Sequence, residues 1–135
     1  SGKGVGETDG WIQDGKGNPI SIIEAFRLGN SIDRNVIREH LDKIAGYNSS
    51  GICTLFIVIY SSSNDFSEFC SNYVSYINSQ EYKGFDSKGS SPSTPLVFRK
   101  VDPPKAAARY YEETRYVNGE RIKIYHQILN LRMPD

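Results

Sequence analysis

Two acidic residues near the start of the chain, Asp9 and Glu24, lie on either side of a dense cluster of turn formers, Asp14-Gly15-Lys16-Gly17-Asn18. The stretches 7–13 and 19–28 around that cluster read as strands, so the segment predicts a β-hairpin. A turn centred between Lys16 and Gly17 sets Asp9 opposite Glu24, Trp11 opposite Ile22 and Glu7 opposite Phe26. Directly opposed side chains on antiparallel strands share a face, with Cβ atoms about 4.5–5.5 Å apart. Two carboxylates that close repel, so either one is protonated or a cation sits between them. Oxygen-only ligands at this spacing suit Mg2+ or Mn2+, which bind through one or two carboxylates plus waters. Glu7 is two residues from Asp9 on the same strand face and is a third candidate ligand or a supporting group. Register carries the argument, because a slip of one residue would send the two side chains to opposite faces.

Glu24 also interrupts an apolar strand, Ile20-Ser21-Ile22-Ile23-Glu24-Ala25-Phe26. A carboxylate there is costly unless it is paired or metal-bound. A salt bridge to Arg27 or Lys43, or a place on an exposed sheet edge, would satisfy it as well as a metal does.

The elements that must position these residues follow in order. Asn30 or Ser31 can cap a helix running to about Ala45, with Ile32, Val36, Ile37, Leu41 and Ile44 at helical spacing and Gly46 as the stop. The run 51–60 is β-branched, aromatic and continuously apolar, which predicts a strand buried on both faces. A second helix spans about Asp65 to Ser79, with Phe66, Phe69, Cys70, Tyr73, Val74 and Ile77 as its buried stripe. Strand, helix, buried strand and helix imply a right-handed crossover and a partly parallel sheet. Residues 80–95 are rich in Ser, Gly, Lys and Pro and read as a loop or lid. A short strand is expected over 96–101, and Asn118-Gly119 between two β-rich runs, 110–117 and 120–131, marks a C-terminal hairpin.

At 135 residues the chain fits one α/β domain large enough to bury its own core. A formal net charge of zero excludes a strongly basic nucleic-acid binder, though not a local basic patch. The two cysteines, Cys53 and Cys70, match no zinc spacing and form no disulfide framework; they read as buried reduced thiols of a cytoplasmic protein. No apolar run approaches membrane-spanning length, and the Asn48-Ser49-Ser50 sequon reads as chance. The opening Ser1-Gly2-Lys3-Gly4-Val5-Gly6 suggests a piece of a larger protein. It lacks the flanking strand and helix of a dinucleotide loop and the Gly-Lys-Ser/Thr of a P-loop.

The string Glu7-Thr8-Asp9-Gly10-Trp11-Ile12, a turn, and Ile22-Ile23-Glu24-Ala25-Phe26-Arg27-Leu28 resembles the active-site hairpin of the PD-(D/E)XK nuclease superfamily. That family places an Asp on one strand and Glu-x-Lys on the next, followed by helix, strand and helix. The resemblance covers roughly residues 5 to 79. It implies a restriction-endonuclease-like mixed sheet flanked by helices, and a metal-dependent nuclease that cleaves DNA in preference to RNA. In that reading Asp9 and Glu24 bind Mg2+ or Mn2+ with help from Glu7. The usual lysine position holds Phe26, a departure from the pattern. Arg27 is adjacent but alternation aims it away from Glu24 unless a bulge intervenes, and arginine cannot act as a base. Lys43 on the following helix is the alternative source of an ammonium, as in family members whose lysine has migrated. The family core also begins with a helix and a strand that are absent here, which agrees with the chain being a fragment or means that the C-terminal hairpin fills their place. The resemblance further implies an effector domain in a defence or repair protein, with nucleic acid as partner, regulatory domains in the parent chain and compatibility with a homodimer. The alternative is a degenerate nuclease-fold module that binds nucleic acid or protein without cleaving.

Other groups read more plainly. His40 is expected to flank the first helix at its surface, near Lys43, and His126 to be an ordinary sheet residue; neither pairs with a nucleophile. Arg99, Lys100, Lys105, Arg109, Arg115, Arg121 and Lys123 are interleaved with Tyr110, Tyr111, Tyr116 and Tyr125, a pattern that can hold phosphates and stack bases. Glu112, Glu113 and Glu120 among them fit equally a solvated sheet face with cross-strand ion pairs.

Overall fold

The computed structural model describes residues 8–47, 52, 54–86, 94–100 and 108–131; for 8, 9, 11, 19, 44–47 and 94–100 it describes the backbone alone. Among these, β1 (Thr8–Gln13) and β2 (Pro19–Gly29) form the first hairpin. Helix α1 (Arg34–Tyr47), strand β3 (Thr54–Ser61) and helix α2 (Phe66–Ser79) follow. Strands β4 (Thr94–Lys100), β5 (Ala108–Val117) and β6 (Glu120–Asn130) complete a mixed sheet of order β1-β2-β3-β6-β5-β4.

Local chemistry accounts for the boundaries. In the first turn the Asp14 carboxylate accepts the amides of Lys16 at 2.8 Å and Asn18 at 3.0 Å, and Gly17 adopts φ +84°. Helix α1 is capped by Asp33, whose carboxylate accepts the amides of Asn35 and Val36, rather than by Asn30 or Ser31. An aspartate at this position satisfies amides that the helix itself leaves unpaired. Asp65 caps α2 in the same way through the amide of Glu68. Asn118 and Gly119 both have positive φ, the signature of the two-residue turn that matches strand twist, and Asp86 accepts both of their amides.

β2, β3 and β6 run parallel and adjacent, each displaced from the last in the same direction across the sheet. Right-handed connections in one direction put both crossovers on one face. Register and contacts agree: Glu24, Ile57, His126 and Tyr111 form one row across β2, β3, β6 and β5, with α1 touching that face at Glu24 and α2 at His126. The core fills this side, with Ile22, Phe26, Leu55, Ile57, Ile59, Ile122, Ile124 and Ile128 beneath Ile37, Leu41, Phe69, Tyr73 and Ile77. The expectation that β3 is buried on both faces is corrected. Its burial alternates, because both helices lie on one side and Phe56, Val58 and Tyr60 on the other remain half-buried. Among the described residues the strand's continuous apolar run therefore serves a two-layer arrangement whose second sheet face carries no helix. No helix among the described residues is long and apolar enough to cross a membrane.

Candidate functional site

The hairpin register is the expected one. Asp9 pairs with Glu24 and Trp11 with Ile22, and the irregularity needed to close the five-residue turn falls between Ile12 and Gln13, beyond the acidic pair. Glu7 lies outside the described residues, and of Asp9 only the backbone position is described.

Glu24 is 2% exposed, in the middle of β2 and under α1. Helix α1 supplies its partners from successive positions on one face. His40 Nδ1 donates to Glu24 Oε1, and Lys43 Nζ lies 3.6 Å from the same oxygen. Phe26, at the position where the sequence pattern would place a lysine, stacks on the His40 ring with centroids 4.2 Å apart and planes within 6°. The ring holds the imidazole edge-on to Glu24, so Phe26 acts as a positioning group and the cation comes from the helix. Arg27 is exposed, and the unbroken register from Glu24 to Arg27 sets it on the opposite face. No bulge brings it back, since the shift in β2 comes after Arg27. Of the two expected sources of positive charge, Lys43 meets Glu24 and Arg27 does not.

His40 is a correction. It is 1% exposed and contacts Glu24, where the sequence suggested a surface residue. The signal was present: His40 is three residues after Ile37 and four after Val36, on the same helical stripe. The ammonium of Lys43 reaches the site from a side chain that is 44% exposed, so this end of the cluster opens to solvent.

A second polar cluster lies under α2. Glu113 and Arg115 are 1% and 4% exposed, which corrects their assignment to a solvated face. Glu113 Oε1 accepts from Tyr82 at 2.6 Å and from His126 Nε2 at 2.8 Å, while Oε2 accepts from Arg115 Nε at 2.7 Å. Tyr73 Oη is hydrogen-bonded to His126 Nδ1 at 2.7 Å, and Arg115 also donates to the Ile77 carbonyl and stacks over the Tyr82 ring. Burial alone would push the Glu113 carboxyl up. The hydrogen bond and attraction of His126, then Arg115 and Tyr82, outweigh burial and hold it below the usual carboxylate range. With its groups mutually bonded and nearly sealed from solvent, this cluster ties α2 to β5 and β6. The cross-strand ion pair expected on the exposed side exists separately, between Lys123 and Glu112 at 2.6 Å.

Among the described residues no group of three or more His, Cys, Asp or Glu side chains is arranged to hold a metal. No protein-family model, curated protein or solved structure matches the chain.

Proposed function

We propose that the domain is a metal-dependent nuclease of restriction-endonuclease-like fold, acting on DNA ahead of RNA, with its site at the β1–β2 hairpin and α1. One observation carries this reading. Glu24, the cross-strand partner of Asp9, is met by the Lys43 ammonium at 3.6 Å, delivered from α1 to the side of the sheet that Phe26 leaves without a cation. An acidic pair across a hairpin with an ammonium beside it is the charge set that phosphodiester hydrolysis needs.

Asp9 and Glu24 would hold Mg2+ or Mn2+, and their oxygen donors on paired strands fit the preference of a hard cation. A bound divalent ion supplies a water of lowered pKa and charge to offset the phosphate. His40 fixes the orientation of the Glu24 carboxylate, and Phe26 fixes His40. Lys43, anchored at one end and partly exposed, is free to exchange its contact with Glu24 for a phosphate oxygen.

The second reading is a non-catalytic module of the same fold. The same geometry favours it in one respect, because the imidazole and ammonium on Glu24 can compensate its charge without a metal. Supercoiled plasmid and single-stranded DNA incubated with Mg2+ or Mn2+ separate the two. The nuclease reading expects cleavage that disappears in Glu24→Gln and falls about a hundredfold or more in Lys43→Ala. Cleavage that survives in Glu24→Gln, or a wild-type protein that neither cleaves nor takes up Mn2+ by calorimetry, leaves the binding module.

A further inference from the structure

The open face of the sheet carries a feature that the hairpin site does not use. A concavity of about 340 Å³ lies over the middle of β3, β6 and β5, lined on this face by Phe56, Val58, Tyr110, Glu112, Tyr125 and Gln127. Its volume is at the small end of the range for ligand pockets, enough for a single planar ring system. The Phe56 and Tyr125 rings stack at 5.4 Å with planes 23° apart, and Tyr125 and Tyr110 are 36% and 39% exposed. Gln127 donates to the Tyr110 hydroxyl at 3.0 Å, which places an amide and a phenol together beside the rings.

Charge on this face has one dominant sign. Among its described residues, Arg27, Arg121 and Lys123 are basic and Glu112 is acidic; Lys123 neutralises Glu112 directly. Arg121 lies four residues before Tyr125 on β6, and Arg27 lies beside Tyr60 at the other end of the parallel strands. From the row of Arg121 to that of Arg27 the strands advance by eight residues, roughly 26 Å at about 3.3 Å per residue. Exposed cations thus stand at both ends of a track whose middle is aromatic. Thr54, Lys123, Gln127 and the arginines are polar positions of this face, which suits a polyanion better than the apolar face of another protein.

From this placement we infer that the open sheet face binds single-stranded nucleic acid, with one base stacked on Tyr125 beside Phe56 and its edge read by Gln127 and Tyr110. Aromatic side chains on central strands, flanked by cations that track the backbone, form a sequence-tolerant stacking platform. The surface lies on the opposite side of the sheet from Glu24 and needs no metal, so it stands or falls independently of the nuclease reading.

The test is fluorescence anisotropy in EDTA, using fluorescein-labelled DNA and RNA single strands of about 12 nucleotides and the matching duplex. EDTA removes cleavage from the readout. Single strands are expected to bind in preference to duplex, with affinity falling as salt rises. Tyr125→Leu should weaken binding about tenfold, and Tyr125→Trp should retain it. An oligonucleotide carrying 5-iodouracil should photocrosslink to Tyr125, Tyr110 or Phe56, a readout that a purely structural role for the tyrosine would not give. The DNA and RNA arms distinguish the source of the strand. Binding that is absent, unchanged in Tyr125→Leu, or crosslinked only to α1 overturns the inference. So does a dimer in sedimentation equilibrium that Tyr125→Leu dissociates, since the face would then belong to a second copy.

Discussion

Replacing Glu113 by Gln tests how the buried cluster under α2 contributes to the fold. The change is nearly isosteric and leaves a carbonyl oxygen able to accept from Tyr82 and His126. What it removes is the negative charge 2.7 Å from Arg115, whose side chain is 5% exposed, and it turns an amide NH2 toward a guanidinium that can only donate. Breaking a buried pair from one side costs about 3–5 kcal/mol, because the remaining charge stays buried. Retention of two of the three hydrogen bonds to the carboxylate puts the expectation near the lower bound, about 3 kcal/mol. For a denaturant slope of about 2 kcal/mol/M in urea, the midpoint should fall by roughly 1.5 M, read by far-ultraviolet circular dichroism. The effect should also depend on pH. The folded Glu113 carboxyl titrates below its unfolded value, which is about 4.3. Its contribution is therefore complete above that unfolded value and is lost as pH falls through the lower folded one. The gap between wild type and Glu113→Gln should be widest near neutrality and close in acid. A loss below about 1 kcal/mol at pH 7, or a gap that does not narrow in acid, would mean that Arg115 does not depend on Glu113 and that the reasoning fails.

Burial pushes the Cys70 thiol up to about 11 and leaves it 3% exposed. Alkylation of Cys70 by iodoacetamide at neutral pH, mapped by mass spectrometry, is expected only on unfolding; rapid modification of the native protein would contradict its placement under α2. In the second hairpin Gly119 has φ +80° with open space where a side chain would go, so Gly119→Ala meets backbone strain rather than a clash. The expected loss is about 1–2 kcal/mol in urea unfolding, and an unchanged midpoint would show that the turn adopts another form in solution.

The parts of the fold that were legible in the sequence are those governed by local chemistry. The turn cluster at 14–18 set the hairpin register, and the acidic pair came out directly opposed, because an irregularity next to the turn absorbed its odd length. Asn118-Gly119 and the apolar stripe of α2 placed their elements to within a residue or two. Burial of β3 alternates where its apolar run predicts two covered faces, because periodicity reports how apolar a strand is, not how many layers cover it. Which face the helices take depends on the direction of successive crossovers, and strand order cannot be read from one sequence.

Two histidines occupy apolar positions of periodic faces, and this bears on what the molecule does. The neighbours of His40 in the pattern are Ile37 and Leu41, and those of His126 are Ile122, Ile124 and Ile128. Each occupies an apolar position of a periodic face and so had to be buried. Each is met by a buried acidic partner, Glu24 on β2 for His40 and Glu113 on β5 for His126. The two pairs differ in how they are closed. Around Glu113 the surrounding groups are sealed and the carboxylate is fully engaged by Tyr82, His126 and Arg115, which is the arrangement of a structural tie. Around Glu24 the cation is Lys43, a long, half-exposed side chain at 3.6 Å that can leave without unfolding α1. The same histidine–carboxylate unit thus serves as a tie where an arginine locks it and as a candidate reaction centre where a lysine opens it to solvent. That difference is why the nuclease reading is attached to Glu24 and not to the more elaborate cluster at Glu113.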